Sequence, residues 1–250
     1  MNRIRKAYEI RFRALLDRLG VRRVELGSQR LLAKAKTQAK GGQVPMPRAL
    51  TDVYTALRRQ VGVFQRRRQA APAPVGGRKA PASSSNTSKP GADFMFVCDA
   101  GLGGLARWLR AAGYEAAWNP DIGDAELLRE AQHSGAMILT TDSLLLERRL
   151  LRDGVIPALW LPPILTVFEQ LTLVFQELGL TAREPRCMSC GGELRRVEKE
   201  SMRERIPPKT WRWVDEYFLC ARCDKLFWYG THWQRIQNRL RQLDAGPETV

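Results

Sequence analysis

Two paired cysteine motifs constrain this chain more than anything else in it. Cys187-Met-Ser-Cys190 and Cys220-Ala-Arg-Cys223 stand 29 residues apart. Two knuckles of this form bring four thiolates to the corners of a tetrahedron, which is what structural Zn²⁺ takes. Gly191 and Gly192 follow the first knuckle, where the backbone must turn tightly to aim N–H groups at sulfur. The rival readings are two disulfides or a thioredoxin-type redox pair. Neither suits two CxxC pairs in a chain whose charged start, MNRIRKAYEIRFRALLDRLG, has no apolar secretory core. The spacing predicts a structural zinc ribbon over residues 183–250 and a cytoplasmic protein. His232 is surplus to a four-thiolate shell. The fifth cysteine, Cys98, sits in a strand-like run and reads as a small buried hydrophobe.

Charge divides the chain. Residues 1–90 hold 21 Lys and Arg against 4 Asp and Glu, a net of +17; the remainder holds 20 against 22. A polyanion, most simply RNA or an RNA–protein particle, is the partner such a region implies. The bland alternative is a solvated tail. Ile4, Tyr8, Phe12, Leu15, Leu16 and Leu19 recur at helical spacing, as do Val53, Leu57, Val61 and Phe64. Residues 1–68 are therefore read as a basic helical region, either a packed hairpin or helices that fold on a partner. Residues 69–93, QAAPAPVGGRKAPASSSNTSKPGAD, lack large apolar side chains and read as a linker. No run reaches the roughly 18 apolar residues of a membrane helix.

From residue 94 strand-like and helix-like segments alternate four times. FMFVC precedes LGGLARWLRAAG; YEAAW precedes DAELLREAQHSG; AMILTT precedes SLLLERRLLRDG; VIPALWL precedes a helix running to about Leu178. That order with short connections predicts an α/β layer with a mainly parallel sheet over 94–182. Beyond the cysteines, THWQRIQNRLRQL predicts a basic terminal helix with Thr231 as its N-cap.

Asp99 follows the first strand, Asp142 follows the third, and Asp121 and Asp124 follow the second. In an open parallel sheet the carboxyl ends of the strands share one edge, where ligands bind. Carboxylates converging there repel one another unless a cation joins them. Mg²⁺ or Mn²⁺ suits such oxygen donors and can clamp a scissile phosphodiester. Each Asp also stands where a helix N-cap belongs, and capping alone would account for any one of them. No GxGxxG or GxxxxGK[ST] motif occurs, and His133 and His232 are the only histidines. The composition favours metal–carboxylate chemistry over His-based catalysis.

DAGLGGLARWLRAAGYE, DIGDAELLREA, MILTTD, PRCMSCGGEL and CARCDKLFWYGTHWQRI, in that order, resemble the Mut-seven C-terminal RNase family across about residues 94–236. The resemblance implies a PIN-like nuclease domain followed by a zinc ribbon. It also implies a metal-dependent ribonuclease site at Asp99, Asp124 and Asp142, with Asp121 an auxiliary at best. The family usually places Arg where this chain has Thr141. A phosphate-holding cation is then expected from Arg107, Arg110 or the basic arm, with Arg235 and His232 of the terminal helix facing RNA. Trp211, Trp213, Trp228 and Trp233 are either base-stacking platforms or ribbon core. The Thr141 departure keeps a second expectation open: a non-catalytic RNA-binding adaptor on a degenerate nuclease scaffold. A PIN-type toxin fits less well, since this chain carries two appended modules.

Overall fold

A computed structural model describes residues 2–41, 44–70 and 94–244. The chain divides into two compact units, Met1–Thr87 and Ser88–Val250. The first contains three helices: α1 (Asn2–Arg18), α2 (Val24–Gly41) and α3 (Met46–Ala70). They pack on one another around Tyr8, Phe12, Leu16, Leu32, Leu50, Tyr54 and Leu57, all buried. The helical spacing of these apolar residues gives each helix one face to bury, and α2 lies with the two periodic segments in the packing. Tyr8, Phe12 and Tyr54 form an aromatic triangle with ring centroids 6.0–6.5 Å apart. The Tyr8 hydroxyl meets Thr51 Oγ1 at 2.6 Å, and Thr51 donates to the Pro47 carbonyl, so the buried hydroxyls are satisfied. Helix α3 runs through Ala70, and residues 71–93, most of the expected linker, lie outside the described residues.

The second unit opens with four strands: β1 (Met95–Cys98), β2 (Glu115–Trp118), β3 (Met137–Thr140) and β4 (Ala158–Trp160). They form one parallel sheet in the order β2-β1-β3-β4. Alternation along the strands sorts their side chains to two cores. Phe96, Cys98, Leu139 and Leu159 face α4 (Gly103–Ala111) and α7 (Val167–Leu178). Val97 and Ile138 face α5 (Asp124–Ser134) and the short α6 (Arg149–Arg152). Helices on both faces of a parallel sheet define an α/β fold. Thr166 and Glu169 close a capping box on α7, and Gly179, at φ 63°, ends it.

One expected helix is interrupted. SLLLERRLLRDG folds as a 3₁₀ turn, Leu145–Glu147, and then the four residues of α6. Arg148 between them is extended, with ψ 135°.

The ribbon lies in the same unit as the sheet. Strands β5 (Leu194–Val197), β6 (Tyr217–Cys220) and β7 (Leu226–Trp228) form an antiparallel sheet in that order. The β5–β6 connection carries a 3₁₀ turn, Glu200–Arg205, and helix α8 (Pro208–Trp211). Helix α9 (Thr231–Asp244) then returns to the α/β layer, burying Ile236 and Leu240 in the core beside α7. Its first turn closes on Gly230, whose carbonyl accepts from Gln234 N–H at 3.1 Å. The capping position expected at Thr231 thus falls one residue earlier. Among the described residues no helix is long and apolar enough to cross a membrane.

Candidate active site and metal centre

The four cysteines converge. Cys187, Cys190, Cys220 and Cys223 are unbonded thiols with all four sulfurs within 4.8 Å of one another. Cys187 and Cys223 sulfurs stand 3.6 Å apart and those of Cys190 and Cys220 3.4 Å apart. A tetrahedron with Zn–S near 2.3 Å has edges of about 3.8 Å, so the thiols stand close to the coordination geometry. The two knuckles repeat one backbone design. Gly191 N–H returns to the Cys187 carbonyl and Asp224 N–H to the Cys220 carbonyl. Cys187 N–H reaches Gly192 O and Cys220 N–H reaches Lys225 O. Gly191 and Asp224 both adopt positive φ, 79° and 56°. Asp is one of the few side chains that tolerates this conformation, which is why the second knuckle manages without glycine.

Backbone N–H groups of Gly192, Arg222 and Cys223 point at sulfur from 3.4–3.5 Å. Burial drives the thiol of Cys187 up to about 12 and that of Cys190 up as well. Burial also opposes ionisation of Cys220, but hydrogen bonds from the Cys223 and Arg222 N–H groups and from the neighbouring thiols together bring Cys220 down to about 6. Three cations bind the knuckle loop and offset the charge of a thiolate cluster. Arg110 donates to the Met188 and Ser189 carbonyls, Arg222 to the Cys190 carbonyl and Lys225 to Ser189 Oγ.

Arg110 corrects an expectation. It is only 4% exposed, and its Nε donates to the Ala116 carbonyl of β2 at 2.8 Å. Its guanidinium joins α4, strand β2 and the first knuckle, so it is not available to a phosphate. Burial draws its pKa down, yet it remains the natural partner of three carbonyls. Glu115 strengthens the same junction through Arg222 at 2.8 Å and Arg186 at 3.6 Å. Glu115 opens β2. The knuckles therefore dock at the amino end of the strands, whereas Asp99 and Asp142 lie at the carboxyl end.

At that carboxyl end the strand order reverses between β1 and β3, the position where open parallel sheets bind ligands. Asp99 is half-buried there. Its Oδ1 accepts from Ala100 N–H at 2.7 Å, and its Oδ2 accepts from the Thr140 hydroxyl at 2.6 Å. The same Thr140 oxygen accepts from Asp142 N–H at 2.9 Å. Asp142 is exposed, with Oδ1 accepting from Leu144 N–H. One buried threonine thus ties two acids from neighbouring strands. Asp124 is the first residue of α5 behind an N-cap at Gly123, so capping does not account for it. Its carboxylate is exposed and meets Arg148 at 3.3 Å. Asp121 is exposed, and its N–H donates to Asn119 Oδ1.

Sequence reasoning missed Thr140 and Arg148. The signal for Thr140 stands in the MILTTD motif, immediately before Thr141. Arg148 carries no motif, and only the break between the 3₁₀ turn and α6 sets it beside Asp124. Arg107 is exposed one turn into α4, and His232 and Arg235 are exposed on α9. Among the described residues none of the three bonds to an aspartate of the edge. The tryptophans separate: Trp228 and Trp233 pack with Tyr217 and Tyr229. Trp211 lies under Lys199 and Arg203, and Trp213 is 85% exposed.

The architecture is a parallel α/β layer joined to a four-cysteine cluster able to hold a metal ion, with acids at the opposite strand ends. The Mut7-C RNAse domain family model matches residues 94–240, and the chain belongs to that family. Membership implies a nuclease-type function, with RNA as substrate or partner. Comparison with curated proteins and with solved structures finds no match.

Proposed function

We propose that the protein is a cytoplasmic, metal-dependent ribonuclease with a PIN-like catalytic domain, a structural zinc ribbon and a basic N-terminal region that engages RNA. The link Asp99–Thr140–Asp142 at the β1/β3 reversal carries this reading. Thr140 fixes Asp99 by donating to it and fixes the Asp142 turn by accepting from its N–H. The two acids are therefore held at the sheet edge before substrate arrives. The donor set is all oxygen, and Mg²⁺ or Mn²⁺ uses few carboxylates and keeps waters, so acids spaced apart are suitable. Bound there, such an ion would polarise the scissile phosphate and supply hydroxide for in-line attack. Asp99 and Asp142 would hold it, with Asp124 completing the set from α5. Arg148, beside Asp124, takes the phosphate-holding role that Thr141 cannot fill. The four thiols hold Zn²⁺ and fit the reducing conditions of the cytoplasm.

The test is cleavage of a labelled RNA of mixed structure with Mn²⁺, with Mg²⁺ and with neither. Wild type and Asp142→Asn, purified identically, are compared. Metal-dependent cutting that falls about 100-fold or more in the variant is expected; equal cutting by both overturns the site.

The adaptor reading has its own observation. Among the described residues only the cysteines bring three or more ligand atoms within 4.8 Å, and Asp124 is already paired with Arg148. Tight RNA binding with no cutting by either protein would favour it.

A further inference from the structure

The N-terminal unit has four acids in all, and three of them are already engaged. Glu9 and Glu25 meet Arg13 at 2.8 and 4.0 Å, and Asp52 meets Arg48 at 3.2 Å. Past Glu25, helix α2 carries Arg30, Lys34, Lys36 and Lys40 and no acid. All four are exposed. They fall as two i,i+4 pairs, 30 with 34 and 36 with 40, a spacing that sets like charges beside each other and weakens an isolated helix. The opposite face of α2 buries Ser28, Leu32 and Ala35 against α1 and α3. The cations are thus held outward by a packed core, and among the described residues no ion pair is formed by any of the four.

Two further observations narrow the partner. The aromatic side chains described in this unit, Tyr8, Phe12 and Tyr54, are all buried and cannot stack on bases. The apolar helix faces are packed together: among the described residues of this unit the exposed large apolar side chains, Ile4, Val21, Leu26 and Val44, are only 37–40% exposed, where a helix lying in a lipid surface presents a wholly apolar face. A polyanion read through its charge alone fits both.

We propose that the three-helix unit is a phosphate-backbone anchor. It holds RNA through Arg30, Lys34, Lys36 and Lys40 of α2, independently of base sequence. The choice of RNA as the polyanion rests on the nuclease reading above; the anchor itself does not. Its chemistry is electrostatic, with counterions released as phosphates replace them. It adds affinity and effective concentration to whatever the carboxylate edge acts on.

The test is RNA binding by the full chain, read by fluorescence anisotropy across a salt series. Both proteins compared carry Asp142→Asn, and no divalent ion is added, so the result does not depend on cleavage. One of them also carries Arg30→Gln, Lys34→Gln, Lys36→Gln and Lys40→Gln. Glutamine keeps nearly the same helix propensity, and circular dichroism verifies the fold. The slope of log affinity against log salt is expected to drop by about 3, and affinity near 0.1 M salt by on the order of 100-fold. A scrambled RNA of equal length should bind within about threefold. An unchanged slope and affinity would overturn the anchor. So would polyglutamate that displaces the RNA at equal charge concentration, which would point to an acidic protein instead. Absence of cleavage by the wild type with Mn²⁺ or Mg²⁺, with this binding result intact, would count against the nuclease reading alone.

Discussion

Arg110 and Arg30 both sit on α-helices, yet their surroundings are opposite. Arg110 is enclosed and satisfies carbonyls of Ala116, Met188 and Ser189. Arg30 stands exposed on a helix that has no acid beyond Glu25. The contrast extends to their units. In the α/β and ribbon unit, cations bridge distant segments, as Arg222 reaches back to Glu115 across 107 positions. In the helical unit the pairs given by Arg13–Glu9 and Arg48–Asp52 are one helical turn apart. A charge count therefore locates a surplus but does not say which cations are structural. That is decided by whether an acceptor lies opposite in the fold.

The widest separation between the units should come from the metal. With zinc held by the cysteines as proposed, a strong chelator, or Cys220→Ser, should abolish hydrogen-exchange protection around 187–228. Structural zinc contributes on the order of 10 kcal/mol in small metal modules. Protection in α1–α3 should not change. Equal loss in both units would break the comparison.

Next in size is the arginine pair itself. Arg110→Met leaves the buried Ala116 carbonyl and the part-buried Met188 and Ser189 carbonyls without this donor and should cost about 2–3 kcal/mol in denaturant unfolding. Arg30→Met should stay within about 0.5 kcal/mol. Gly103→Ala is a smaller probe of the aspartate edge. A Cβ there would meet the Trp118 ring at 2.5 Å, and Trp118 Nε1 donates to the Ala100 carbonyl. A cost of about 1–3 kcal/mol is expected, together with reduced cleavage, because Ala100 N–H also holds Asp99.

The smallest effect lies in the helical core. Burial raises Tyr8 from its ordinary value of 10 to about 12. A raised folded-state value means that the native unit holds the proton more tightly. Its contribution is complete below pH 10 and is lost as pH climbs through 12. Tyr8→Phe should cost about 1 kcal/mol at pH 7. It should also flatten the alkaline decline seen in thermal melts between those pH values.

Much of this was legible in sequence because it is local. Strand runs such as FMFVC and AMILTT, the glycine after α5 and the CxxC spacing each carry their own structural reason. What escaped was non-local or depended on a break in regularity. Arg110 reads as a candidate phosphate-holding cation until the knuckle, 78 positions later, supplies its acceptors. Arg148 reads as mid-helix until its extended ψ interrupts the segment and brings it to Asp124. The aspartates were recognisable as strand-end acids. That Thr140 joins two of them required the parallel pairing of β1 with β3.

Strand β2 is an outer strand of its sheet. Its Ala116 carbonyl, which could otherwise template pairing with another molecule, is occupied by Arg110, and Arg110 is itself held by the first knuckle. Metal held by the cysteines would thereby guard an outer strand edge at one remove. Stripping the metal would then do more than loosen a small module. It would free a hydrogen-bonding edge in a chain at high concentration during synthesis, and self-association would compete with refolding. On the zinc reading proposed above, metal shortage would show first as lost solubility of the chain.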